Sequence, residues 1–146
     1  MNLPDIITFT NILQEPLASA AVLRTNQESQ KYGLRLTPGD ALEIIAARNR
    51  SILDHNRVEL GIEAVEKLIS AFCPSPYIDQ ADYASTLKEL VDIYYYMKNL
   101  TEDRIGDNEL ISLMQSLFNN SCRGSLDLLK NREMVMLAKL VCQVGL

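Results

Sequence analysis

With 146 residues, 47% of them apolar and 23% charged, the chain can fill one hydrophobic core but not two. Its formal charge of -5 is spread evenly, nine acids against seven bases in residues 1–75 and ten against seven in 76–146. No half therefore carries the basic footprint that a nucleic-acid backbone needs. The opening stretch MNLPDIITFTNILQEP has no basic leader region, and no apolar run reaches the roughly 18–20 residues that span a bilayer. A cytoplasmic protein with neither nucleic acid nor membrane as partner is expected.

A short helix is expected after Pro4, curtailed by Thr8, Thr10 and Pro16, with residues 1–16 forming a loosely packed N-terminal segment. Residues 17–32 place Ala18, Ala21 and Val22 at helical spacing and stop at Gly33, which suits the left-handed turn that ends a helix. Thr37, Pro38 and Asp40 then give a cap, a first-turn proline and an acid three residues after the cap, the makings of a capping box. Leu42, Ile45, Ala46, Asn49, Ile52, Leu53 and Asn56 recur with helical spacing, which carries this helix to about Asn56. Ile62, Val65, Leu68, Ile69 and Phe72 form the stripe of a further helix, ended by the prolines of CPSP.

From 79 to 99 the pattern is long and regular, with Tyr83, Leu87, Leu90, Tyr94 and Met97 on one stripe widened by Ile93. A helix of this length gains its stability by packing and should be central. Asp107 is placed to cap a helix carrying Leu110, Leu113, Met114 and Leu117; Ser125 is placed to cap a short turn; REMVMLAKLVC supplies a terminal helix. No alternating run is joined by a two-residue hairpin turn. The fold class is all-α, an irregular single-domain bundle of about six or seven helices. The order of the helices suggests no repeat, although 41–73 and 80–118 each read as an antiparallel helical hairpin.

The acidic connector NLTEDRIGDNEL invites a test as a calcium loop. With Ile105 at the apolar eighth position, Glu109 reaches the twelfth, but the first, third and fifth ligand positions fall on Lys98, Leu100 and Glu102, and the sixth, which needs Gly, on Asp103. Starting at Asp103 puts Ile105 and Asp107 at the third and fifth positions and Met114 at the twelfth. A hard cation wants six to eight oxygens and neither register supplies them, so calcium is not expected. His55, the one imidazole, is read as a solvated residue at a helix end on the flank of Arg48, with no orienting partner. Cys73, Cys122 and Cys142 form an odd, dispersed set with no ligand spacing; Cys122, beside Arg123, is the least poor candidate for a reactive thiol. No catalytic residue, cofactor or metal site is assigned.

Two features stand out from the helical background. Asn49 and Asn56, with Arg50 and Arg57 beside them, interrupt an apolar stripe at a seven-residue interval, as a pocket lining or a wet edge would. In DIYYYMKN, Tyr94 falls on the core face while Tyr95 and Tyr96 project to opposite flanks, where an apolar ring with a hydroxyl suits an interface. An exposed apolar face is expected on the 80–99 helix or the terminal helix.

The stretches LRLTPGDALEIIAARNRSILDHNRVELGIEAVEKLISAFCPSPYI and TLKELVDIYYYMKNLTEDRIGDNELISLMQSLF resemble a family of small helical proteins of anaerobic Gram-positive bacteria. The resemblance covers most of residues 34–129. It implies a bacterial, cytoplasmic helical domain and brings no activity or functional residue with it. The expected function is a non-enzymatic module for protein interaction or self-association, using Asn49, Arg50, Asn56, Arg57, Tyr95 and Tyr96, with another protein or a second copy as partner. The alternative is a small-molecule-binding or enzymatic helical domain with a pocket near Asn49 and Asn56.

Overall fold

A computed structural model describes residues 16–144, so the expected helix after Pro4 lies outside the described residues. Helix α1 runs over 16–24, is interrupted at Thr25, and continues through Asn26–Ser29 into a 3-10 turn, Gln30–Tyr32. Gly33 stops it at φ 77°. The extended strip after it is pinned by side chains rather than by a neighbouring strand. The Asn26 amide brackets both backbone groups of Leu36, the Ser29 hydroxyl donates to the Leu34 carbonyl, and the Gln80 amide brackets Arg35. Backbone groups that no ladder serves are thereby satisfied.

Helix α2 (Pro38–Asp54) opens with the expected capping box: the Asp40 amide donates to the Thr37 hydroxyl at 3.0 Å and the Thr37 amide to the Asp40 carboxylate at 2.9 Å. Its buried face is Ala41, Ile44, Ile45, Ala47, Arg48, Ser51 and Ile52. The stripe is thus rotated about one residue from the expected one, and Leu42 and Ala46 face solvent. Arg48 and Ser51 occupy core positions that a hydropathy pattern refuses to charged and polar residues.

Helix α3 (Glu63–Phe72) buries Val65, Leu68, Ile69 and Phe72, preceded by buried Ile62, as its spacing requires. Helix α4 (Tyr83–Leu100) is led in by a 3-10 turn that Asp79 caps, and it buries Tyr83, Leu87, Leu90, Ile93, Tyr94 and Met97. Helix α5 is Asp107–Asn119. The chain ends its described part in α6, which starts at Leu126–Leu128 under a Ser125 cap, widens into a π turn at Leu129–Glu133, and continues as Met134–Val144. Six helical segments with no strand among the described residues make one all-α bundle.

The packing is ordered by a register that the sequence does not announce. Helix α4 lies along α2 in the same direction: Lys88 pairs with Glu43 at 3.1 Å, Ser51 donates to Asp92 at 2.7 Å, and Arg57 meets Asp103 at 2.9 Å. Helix α5 lies along α3 in the same way, with the Gln115 amide on the Ala71 carbonyl, the Phe118 ring edge-on to Phe72 at 5.4 Å, and Ser75 donating to Asn119. Most of these partners stand 44–46 residues apart. The units α2–α3 and α4–α5 therefore stack in parallel, each helix on its counterpart, as successive units do in a short helical solenoid. Helix α6 packs next against α4, in the position where the first helix of a third pair would stand.

Candidate functional site

The connectors α2–α3 and α4–α5 gather at one end of this stack, and both are built alike. Helix α2 ends with the Asn56 amide on the Leu53 carbonyl and the Arg57 amide on the Ile52 carbonyl, Asn56 taking φ 54°. Helix α4 ends with the Glu102 amide on Asn99 and the Asp103 amide on Lys98, Glu102 taking φ 54°. Both are Schellman ends, and the residue following each left-handed position faces the other: Arg57 grips Asp103 with two parallel bonds of 3.2 and 2.9 Å. Arg57 also reaches Glu59 at 3.3 Å and lies over the Tyr95 ring.

A buried cation from the preceding helix pins each connector. Arg48 is only 2% exposed; its guanidinium donates to the carbonyls of Glu59 and Gly61 and to the Asn49 side chain. Lys98 is 5% exposed; its ammonium donates to the Ile105 carbonyl at 2.8 Å and pairs with Asp107 at 2.7 Å and Asp103 at 3.5 Å. The Lys98 bond, with a further contribution from the Tyr94 hydroxyl, holds the Asp107 carboxyl below its ordinary range; the Arg57 bond does the same for Asp103. Asp107 consequently does not cap α5. Gly106 stands at that position, and the carboxylate turns back to the ammonium, a stronger partner than a neutral amide.

The residues singled out in sequence are only partly brought together. Asn49 is half-buried as an acceptor for Arg48, and Arg50 is exposed, away from the connectors. Asn56 lies outside the helix expected to include it, because its backbone supplies the left-handed turn. His55, Asn56, Arg57, Val58, Asn99 and Asp103 line an open cleft of about 320 Å³, which neither Asn49 nor Arg50 enters. Of the expected pocket residues, Asn56 and Arg57 line this cleft and Asn49 and Arg50 do not. Tyr95 is not on a flank: it is 1% exposed, its ring edge-on to Tyr94 at 4.9 Å and its hydroxyl beside Glu59 and Arg48. Tyr96 does face solvent, one turn before exposed Leu100. Burial pushes the Cys73 and Cys122 thiols above their ordinary range, the reverse of what a nucleophile needs. Arg48 and Lys98 escaped sequence reasoning, which treats a charge within a helix as a solvent-facing residue.

The outward side of α6 is the other distinctive surface. Met134, Ala138 and Val141 are buried, while Met136 and Leu140, four residues apart, are 57% and 56% exposed, flanked by Val135. A smaller apolar groove, about 170 Å³, lies between α1 and the α2–α3 connector, at Leu17, Ala21, Leu60 and Ile62. No described helix is long and apolar enough to cross a membrane, and no group of three or more His, Cys, Asp or Glu residues suited to a metal occurs among the described residues.

No curated protein and no solved structure matches the chain. A family of unknown function, DUF6323, matches residues 21–144, from within α1 to the end of α6, and the chain belongs to that family.

Proposed function

We propose that this protein is a non-enzymatic interaction module whose partner, in the simplest case a second copy of itself, seats on the outward face of α6. The observation that carries this reading is the unfinished stack. Helix α2 is covered by α4 and α4 by α6, yet nothing among the described residues covers α6 in turn. Nine of the eleven residues in MVMLAKLVCQV are apolar, the composition of a helix buried on more than one side. Solenoids ordinarily close with a polar outer face, whereas Met136 and Leu140 present an apolar one. A second copy meeting this face across a twofold axis removes the patch from water in both partners.

Two exposed side chains and their neighbours fall well short of the roughly 800 Å² per partner of a standard interface, so the association is weak and concentration-dependent. Light scattering from low micromolar to near-millimolar protein tests it. The molar mass should rise above the monomer value of 16.4 kDa. A constant monomer mass over that range excludes self-association and leaves only a different protein as partner.

The charge of -5 and the likeness to proteins of anaerobic Gram-positive bacteria support a bacterial cytoplasmic setting without nucleic acid as partner. One observation favours a small-molecule reading: the cleft at Asn56, Arg57, Asn99 and Asp103 concentrates polar groups. It is open, and its cation is already engaged by Asp103 and Glu59, which weakens that reading.

A further inference from the structure

We infer that the α4–α5 connector is a cation-binding loop whose ion is supplied by its own chain, the ammonium of Lys98. Linear spacing rejects this connector as a calcium loop, yet its folded form converges oxygens on one point. The Ile105 carbonyl and one oxygen each of Asp107 and Asp103 stand 2.8, 2.7 and 3.5 Å from the Lys98 nitrogen. The chain wraps around that nitrogen. Glu102 and Asp103 both adopt left-handed backbone, at φ 54° and 59°, and the Thr101 hydroxyl anchors the turn on the Met97 carbonyl. Neither Glu102 nor Asp103 is a glycine, so both residues bear a conformational cost that the loop's internal bonds must outweigh.

An ammonium has three donors, and three oxygens accept from or pair with it here. The lysine side chain is 5–6% exposed, so its stem is buried as well as its charge. Oxygens gathered around one buried positive charge, two of them on carboxylates, repel one another once that charge is removed. The ligand class of the loop is therefore a primary alkylammonium, held in cis. Arg57 joins the same Asp103 from the neighbouring connector, so occupancy of the loop also ties the two stacked helix pairs together.

The test is to vacate the loop and refill it. Lys98→Ala removes three methylenes and the amine, the atoms of n-propylammonium. Its melting temperature should fall by roughly 5–10 °C. n-Propylammonium chloride should then restore part of the loss along a saturating curve. Tetramethylammonium chloride at equal ionic strength and n-propanol should not, nor should the unsubstituted protein respond. The double variant Lys98→Ala, Asp107→Asn should lose the response. Equal effects of n-propylammonium and tetramethylammonium on Lys98→Ala overturn the inference. Should Lys98→Ala fail to fold, Lys98→Met keeps the stem without the charge, and amide exchange reads the loop directly. Faster exchange at Asp103, Arg104 and Ile105, with Leu90 and Val91 unchanged, supports the inference, and unaltered loop exchange overturns it.

Discussion

Replacing Arg48 by methionine removes the guanidinium while keeping a long apolar stem in the core. Three acceptors lose their donor: the carbonyls of Glu59 and Gly61 and the Asn49 side chain. Hydrogen bonds from a charged group contribute about 1.5–3 kcal/mol each, which would sum to several kcal/mol if all three stayed dry. They do not, since Gly61 is exposed and Asn49 and Glu59 are half-buried, so water recovers part of the loss. A net destabilisation of about 3 kcal/mol remains, equivalent to roughly 6–12 °C in melting temperature for a chain of this size. Arg50→Met, two residues away on the exposed side, should stay within about 0.5 kcal/mol of the unsubstituted protein. Arg48→Lys should fall between, because a single ammonium can replace the one guanidinium nitrogen that serves both carbonyls but not also the second nitrogen that serves the Asn49 side chain. Urea and thermal denaturation followed by circular dichroism measure all three. If Arg48→Met matches Arg50→Met, the buried arginine does not hold the connector.

Two further outcomes follow from local geometry. Gly124 has φ 81°, and a Cβ there would lie 2.4 Å from the Tyr77 Cβ, so Gly124→Ala should destabilise by about 2–4 kcal/mol in chemical denaturation; Tyr77→Ala in the same chain should return only the part owed to the ring, since alanine keeps the clashing Cβ and the backbone strain is untouched. The depressed Asp103 and Asp107 carboxyls contribute stability that is fully present above their ordinary value near 3.8 and is lost as pH falls below it. Melting temperatures across that range should therefore drop less steeply in Asp107→Asn than in the unsubstituted protein, and equal slopes would contradict the pairing.

Much of the fold is legible in the sequence where the signal is local. Thr37, Pro38 and Asp40 specify a helix start because all the bonds of a capping box lie within four residues. The stripes at 62–72 and 83–97 are legible because apolar side chains repeat on one face. Helix α2 misled by one residue because its core face includes Arg48, whose partners lie 11 and 13 residues ahead in a connector that no periodicity describes. Lys98 was hidden for the same reason. Asn56 did carry a signal, since asparagine tolerates the left-handed turn that ends a helix, but its place in an apolar spacing outweighed that signal. Tyr95 sits on a predicted flank that became interior once α2 and its connector covered it. The stacking of α4 on α2 and α5 on α3 depends on contacts about 45 residues apart and is visible only after folding.

The claim that α6 is the open end of a stack is tested most directly by sedimentation of Met136→Glu, Leu140→Glu beside the unsubstituted protein and a Tyr96→Glu control. These substitutions fall on exposed side chains, so each variant should keep its helical circular dichroism and melting temperature. The account predicts concentration-dependent association in the unsubstituted protein and in Tyr96→Glu, and a monomer at every concentration in the α6 variant. Association undiminished by glutamates at 136 and 140 would place the interface elsewhere and contradict it.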